Sequence, residues 1–534
     1  MQYHDYPYPS QRRVTFGRRG MVATSQQLAA QAGLDILKKG GNAVDAAVAA
    51  AACLTVVEPC SNGLGGDAFA HVWTKDGLFS LNSTGCCPAL LDARTVRDAG
   101  YAKMPSTGFF PQTVPGIPGA WAELSRRFGR LPFEELLAPA ISYAEDGFAV
   151  SPTVAEQWRI AAEKTYTPLR GRPEFQEWYR VFTEDGRAPG AGELWRLPDH
   201  AKTLRELAAS RCESFYRGAL ADEIDRYMKE AGGYLRREDL AAFSPEWVEP
   251  VTTRYHGYDV WELPPNGQGM IALMALNILS GIDLPSPDDP LCWHRQIEAL
   301  KLAAVDAYRY IADPRFMELS PAALLDPAYA ARRRALIGER ALLPEAGLPT
   351  DGGTVYLCTA DEEGNMVSFI QSNFSGFGSG IVVPGTGIAI HNRGTGFYLD
   401  QESPNCLAPG KRPFHTIIPG FLSKDGQPVG PFGVMGAFMQ PQGHLQVLLQ
   451  MIDYGRNPQS ALDAPRWFWT GEKQVSLEHG VPLHIARALA DRGHEVSYSA
   501  MRAPFGRGQI IRRLENGVYA AGTDPRADGA AAAW

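Results

Sequence analysis

The chain has 534 residues, 45% of them hydrophobic and 21% charged, a composition that excludes disordered and fibrous classes and a length that exceeds one ordinary core. Fifty-one basic side chains against fifty-nine acidic ones give a net charge of −8, with no basic run able to follow a phosphate backbone, so nucleic acid is not expected as a partner. The polar, Pro-containing start M-Q-Y-H-D-Y-P-Y-P-S lacks the apolar centre of a secretory signal, and the Ala-rich stretch 43–57 is broken by Asp45, so a cytoplasmic protein outside the membrane is expected.

In chain order, Thr24 or Ser25 can cap a helix running to about Lys39. Gly40-Gly41 ends it, and Asn42 caps a second helix reaching Glu58-Pro59. The Gly-rich loop N-G-L-G-G-D at 62–67 leads into an alternating segment, 68–73, that reads as a strand. Residues 115–345 read as mostly helical. Segment 341–353, A-L-L-P-E-A-G-L-P-T-D-G-G, has the composition of an exposed loop. Two alternating strands follow, 354–360 and 366–372, joined by a turn at 362–365, with Thr354 opening the first. A Gly/Ser bend at 375–380, further short strands and helices near 443–454 and 482–492 complete a mixed, layered α+β pattern.

Several familiar sites are absent from the sequence: H-E-x-x-H, the P-loop and the G-x-S-x-G elbow. Eight cysteines without a C-x-x-C pair argue against a disulfide framework and a zinc knuckle. G-F-G-S-G at 376–380 lacks the strand and helix of a dinucleotide site and reads as a tight bend. A β-branched residue after Asp-Gly-Gly is ordinary turn chemistry, so Thr354 by itself leaves two readings open. The functional one is that its hydroxyl attacks the unhindered Gly353–Thr354 bond, and that hydrolysis of the resulting ester frees an α-amine. An α-amine with a pKa of about 7.7–8.0 can then accept the hydroxyl proton, so one residue supplies nucleophile and base.

Several separate stretches carry a resemblance. They are G-M-V-A-T-S at 20–25, L-K-K-G-G-N-A-V-D-A-A-V-A at 37–49, G-L-G-G-D-A-F at 63–69 and D-G-G-T at 351–354. D-E-E-G-N-M-V-S at 361–368, F-G-S-G-I at 377–381, K-R-P at 411–413, D-Y-G at 453–455 and D-P-R-A-D-G at 524–529 continue the series. Together they resemble the γ-glutamyltransferase family of N-terminal-nucleophile hydrolases. The resemblance implies a four-layer αββα sandwich and a proenzyme cut between Gly353 and Thr354. The large chain would be 1–353 and the small chain 354–534, the two staying together as one unit. It places the nucleophile at Thr354 and the family's supporting hydroxyl on Ser372.

The family's glutamyl-binding residues are not matched. Leu81, Asn82, Ser83, Thr84 and Gly85 lack the expected Arg; Gly396 stands for Asp, Phe374 for Asn, and His415-Thr416 for paired serines. The oxyanion Gly-Gly turn gives way to residues 435–444. The replacements resemble the branch containing oxamate amidohydrolase. Arg393 can pair with a small carboxylate, Phe374, Thr416 and Gln440 line the pocket, and His415 and His444 can donate to substrate or oxyanion. The expected activity is hydrolysis of a small carboxylate-bearing amide, oxamate among the candidates, through an acyl-threonine ester with no metal or organic cofactor. A true γ-glutamyl hydrolase or transferase, and an unprocessed binding protein, remain as alternatives. A homo-oligomer is compatible with either.

Overall fold

The computed structural model describes residues 12–344 and 353–534. Two seven-stranded antiparallel sheets lie face to face. The first runs, in spatial order, Ala530–Ala533, Gly20–Thr24, Gly353–Asp361, Met366–Phe374, Asp67–Thr74, Gly77–Ser83 and Glu246–Val248. The second runs Thr15–Gly17, Tyr519–Thr523, Arg507–Arg513, Gln427–Met435, Gly420–Lys424, Tyr258–Glu262 and Val251–Tyr255. Each sheet therefore contains strands from both sides of position 353.

Three apolar layers hold the sandwich together. Between the sheets, Met21, Phe69, Tyr356 and Ile370 of the first meet Phe421, Met435 and Ile511 of the second. Outside the first sheet, helices Gln27–Lys38, Ala43–Val57 and Phe133–Asp146 form one cover. Outside the second, Gly269–Leu279, Pro290–Tyr310 and Gln440–Ile452 form the other. The result is the expected αββα order. Every residue of Ala43–Val57 is buried, which its small side chains permit by letting neighbouring backbones approach. Full burial of each Leu or Phe in these layers contributes about 1.5–3 kcal/mol. No helix among the described residues is long and apolar enough to cross a membrane.

Local expectations are met with differences. Gln26, not Thr24 or Ser25, caps the first helix, its side chain accepting from Leu28 and Ala29 N–H. Thr24 instead ends a strand and donates to the Tyr356 carbonyl, while Ser25 donates to Glu58. Asn42 and Asp45 form the capping box of the second helix. The middle of the chain also supplies strands Glu246–Val248, Val251–Tyr255 and Tyr258–Glu262, which a mostly helical reading missed. Their alternation is short and interrupted by Pro250 and Gly257. The strand holding Thr354 starts one residue earlier than expected, at Gly353. The proposed cleavage loop falls largely outside the described residues. Its start is fixed, with Ala341 N–H on the Arg492 carbonyl and Leu342 N–H on Glu298.

Candidate active site

Thr354 is buried on the third strand of the first sheet, next to the central strand Met366–Phe374. The pairing of these strands is regular up to Val355 opposite Gln371, then jumps to Gly353 opposite Phe374. Ser372 and Asn373 thus face the single residue Thr354. Such a bulge re-aims side chains, here bringing the Ser372 and Thr354 hydroxyl oxygens to 3.0 Å. Ser372 Oγ also accepts the Phe374 N–H at 2.7 Å, which fixes that hydroxyl from its other side. The same bond helps hold Phe374 at a φ of +74°, a conformation side chains other than glycine rarely adopt.

From that backbone the Phe374 ring lies against Arg393, whose guanidinium carbon is 4.6 Å from the ring centroid. Arg393 is 1% exposed on the short turn Arg393–Gly396. Its Nη1 donates to Thr416 Oγ1 at 2.6 Å, while Nε and Nη2 have no hydrogen-bond partner among the described residues. Those two nitrogens share one edge of the guanidinium, the edge that grips a carboxylate with two parallel hydrogen bonds. Burial lowers the Arg393 pKa to about 9, and the Asp67 charge opposes that shift.

Asp67 opens the neighbouring strand, directly opposite Ser372 in register. Sequence reasoning had given it no role, although it closes the Gly-rich loop 62–67. The glycines bring it there: a Cβ at Gly65 would run into the Ala389 carbonyl, and His391 N–H donates to the Gly65 carbonyl. The loop can therefore lie flat against 389–391 only without side chains. Asp67 Oδ2 receives the His415 Nε2–H at 3.0 Å and stands 3.5 Å from His391 Nδ1. Burial raises the Asp67 pKa to about 8, with Arg393 the main opposing charge.

His415, expected to donate to substrate or oxyanion, has other partners in this structure. Its Nδ1 accepts from Ile417 N–H while Nε2–H is committed to Asp67, so both ring nitrogens are used. Burial, with Arg393 and His391 nearby, holds its pKa well below the usual range. His444 is likewise not joined to the Arg393 cluster. Its Nδ1 pairs with Glu262 at 2.7 Å and its ring packs on Phe432.

Gln440 borders the cluster through Ile418 N–H, which its Oε1 accepts; its Nε2 has no partner among the described residues. Gln268, missed in the sequence, donates to the carbonyls of Thr416 and Ala437. It links the Thr416 loop to the turn at Gly436 and Ala437, both at positive φ. Its signal was the P-P-N-G-Q-G turn at 264–269 before an apolar helix.

The unmatched glutamyl-binding positions have identifiable surroundings in the structure. A Cβ at Gly396 would come within 2.5 Å of the Phe414 carbonyl oxygen, so the backbone leaves no room for the family's Asp. In the 81–85 segment, Asn82 and Thr84 bond to each other and to Asn266. Arg412 reaches the Thr84 carbonyl, but its charge is paired with Glu246.

Among the described residues, His294, Glu298 and His494 lie close enough to share a cation. Lys301 Nζ already sits 2.8 Å from Glu298, so the group carries its own positive charge.

The gamma-glutamyltranspeptidase family profile matches residues 29–534. The glutathione hydrolase-like YwrD proenzyme of Bacillus subtilis is 37% identical over 529 residues, covering 96% of this chain and 98% of that protein. The oxamate amidohydrolase proenzyme of Klebsiella pneumoniae is 37% identical over 532 residues, with the same coverage of 96% and 98%. The crystal structure of cephalosporin acylase from Bacillus halodurans matches with a TM-score of 0.97 at 56% identity, covering 99% of this chain and 98% of that one.

Proposed function

Because the chain belongs to the gamma-glutamyltranspeptidase family and is an amide hydrolase of the N-terminal-nucleophile type, we propose that it matures by cutting its own Gly353–Thr354 bond and then hydrolyses small amides whose acyl group bears a carboxylate. The observation that carries the nucleophile is the 3.0 Å contact between the Thr354 and Ser372 hydroxyls, at a bulge directly after Gly353. In maturation, Thr354 Oγ attacks the Gly353 carbonyl carbon, the C–N bond breaks as the ester forms, and water releases the Gly353 carboxylate. The freed α-amine becomes the base of the mature enzyme. It takes the Thr354 hydroxyl proton as Oγ attacks a substrate amide, and returns it to the departing amine. Water, activated by the same amine, then hydrolyses the acyl ester.

The acyl side of the reading rests on the buried, unpartnered Nε–Nη2 edge of Arg393. A single carboxylate would match its charge and fork geometry. A γ-glutamyl group would add an α-ammonium for which position 396 offers no carboxylate. A relative named oxamate amidohydrolase and a similar structure titled cephalosporin acylase both agree with a pocket that does not require γ-glutamate.

The test is a substrate comparison with matured protein, using oxamate, a glutaryl anilide and a γ-glutamyl anilide. Highest kcat/KM on a carboxylate amide without the α-amine is expected. Highest kcat/KM on the γ-glutamyl compound would instead favour a γ-glutamyl hydrolase or transferase. A chain that neither cleaves nor turns over any of them would be a binding protein.

A further inference from the structure

The hydrogen bonds around Asp67 leave one proton to be assigned. The Thr113 carbonyl, which can only accept, lies 3.0 Å from His391 Nε2, nearer than the Thr113 hydroxyl at 3.3 Å, so that nitrogen carries the hydrogen. A neutral His391 therefore presents a bare lone pair at Nδ1, 3.5 Å from Asp67 Oδ2. Ionised Asp67 sets lone pair against lone pair there. A proton on Asp67 removes that repulsion and turns an O–H towards the His391 Nδ1 lone pair, while Oδ2 still accepts from His415 Nε2–H. Doubly protonated His391 is opposed by its complete burial and by Arg393, and its pKa is lowered to about 3.

Charge balance works in the other direction. Arg393 is fully buried, its hydrogen bond among the described residues goes to the neutral Thr416, and Asp67 acts on it through space rather than by contact. With the pocket empty and the pH above about 8, ionised Asp67 is its countercharge. Once a second carboxylate docks on Arg393, two buried anions face one cation, and an uncompensated buried charge is strongly unfavourable.

Building on the carboxylate reading above, we propose that Asp67 is a specificity-determining residue that takes a proton from solvent when a substrate carboxylate occupies the Nε–Nη2 edge of Arg393. The pocket thus keeps one negative charge for its one cation, and selects acyl groups with a single carboxylate. The step forms one O–H bond on Asp67 and breaks no covalent bond in the protein. The other groups facing Asp67 do not replace it in this role. His415 has both nitrogens committed, Arg412 is paired with Glu246, and the pKa of Tyr216 is pushed far up by burial. Ser372 meets Asp67 as its partner across the strands. The raised pKa of Asp67, about 8, agrees with a proton that is exchanged near neutrality.

The experiment uses matured wild-type protein with pyruvate and 5-oxohexanoate, ketones that carry one carboxylate and no scissile amide. Calorimetric titration near pH 9, in two buffers of different ionisation enthalpy, should give uptake of about one proton per probe bound, falling towards none near pH 6. Affinity should weaken by roughly tenfold per pH unit above about pH 8. Asp67→Asn imitates the protonated carboxyl, with an N–H for His391 and an oxygen for His415, so its affinity should stay level over that range. Binding that is lost in Arg393→Ala but takes up no proton in wild type overturns this inference alone. A parallel pH fall in Asp67→Asn also overturns it, because Arg393 would then be the titrating group. Failure of wild type to bind either probe, or undiminished binding by Arg393→Ala, overturns the carboxylate reading and the proton linkage together.

Discussion

The hydroxyl oxygens of Thr354 and Ser372 lie 3.0 Å apart across adjacent strands, at the step where the pairing skips a residue. Without the bulge, Thr354 would have a single regular partner and successive side chains would alternate strictly between faces. The irregularity therefore creates the contact on which the proposed chemistry depends.

Self-cleavage is the first expectation. Purified wild-type protein, incubated alone, should yield two fragments, the smaller beginning Thr-Val-Tyr-Leu on N-terminal sequencing. Thr354→Ala should stay whole by mass spectrometry. A wild-type chain that remains intact while turning over amides would remove Thr354 from its role.

Ser372→Ala should slow maturation or turnover by roughly 10²-fold, the loss associated with one catalytic hydrogen bond. Ser372→Thr, which keeps an oxygen in place, should be close to wild type. Time courses of cleavage, with kcat measured per cleaved chain, separate the two steps. Equal rates in wild type and Ser372→Ala would show that the contact is only structural.

Arg393→Ala should lower kcat/KM for the best carboxylate amide by roughly 10²-fold or more, since two charge-assisted hydrogen bonds contribute about 1.5–3 kcal/mol each. Arg393→Lys should recover little, because an ammonium lacks the paired donors of the fork. An undiminished rate with Arg393→Ala would place the acyl carboxylate elsewhere.

Gly396→Asp should not restore a γ-glutamyl site. The new Cβ meets the Phe414 carbonyl, so a loss of stability of about 1–3 kcal/mol is expected from overpacking. Thermal melting together with a γ-glutamyl anilide assay would check both parts, and gain of γ-glutamyl turnover in a stable variant would contradict the closed clamp.

Stability should fall in acid. Burial lowers the pKa of His71, His391 and His444 to about 3, against an unfolded value of about 6.5. Groups with a depressed folded pKa stabilise the native state above about pH 6.5, and that contribution is lost as pH falls towards 3. Asp67 and Glu262, raised by burial, act in the opposite sense, so the decline of melting temperature below about pH 6.5 is the net effect of the more numerous imidazoles. A level profile down to pH 4 would mean that these imidazoles are protonated in the folded protein.

The sequence by itself determined the layered α+β class, the capping of the Ala-rich helix by Asn42 and the strands on either side of the 362–365 turn, and the family resemblance singled out Ser372 as the hydroxyl to accompany Thr354. These follow from local periodicity, turn chemistry and a run of motifs. The cap at Gln26 and the strands between 246 and 262 were settled by neighbours instead. Thr24 ended a strand before it could cap a helix, and the short strands are completed by partners from distant parts of the chain. The pocket was decided almost entirely in three dimensions. Asp67, His391, Arg393 and His415 come from three widely separated stretches, and only their packing reveals which hydrogen bonds each has left to make. That packing closed both nitrogens of His415, carried His444 to Glu262, and left one edge of Arg393 open. A side chain's identity states what it can donate or accept, and the folded chain decides which of those capacities are already used.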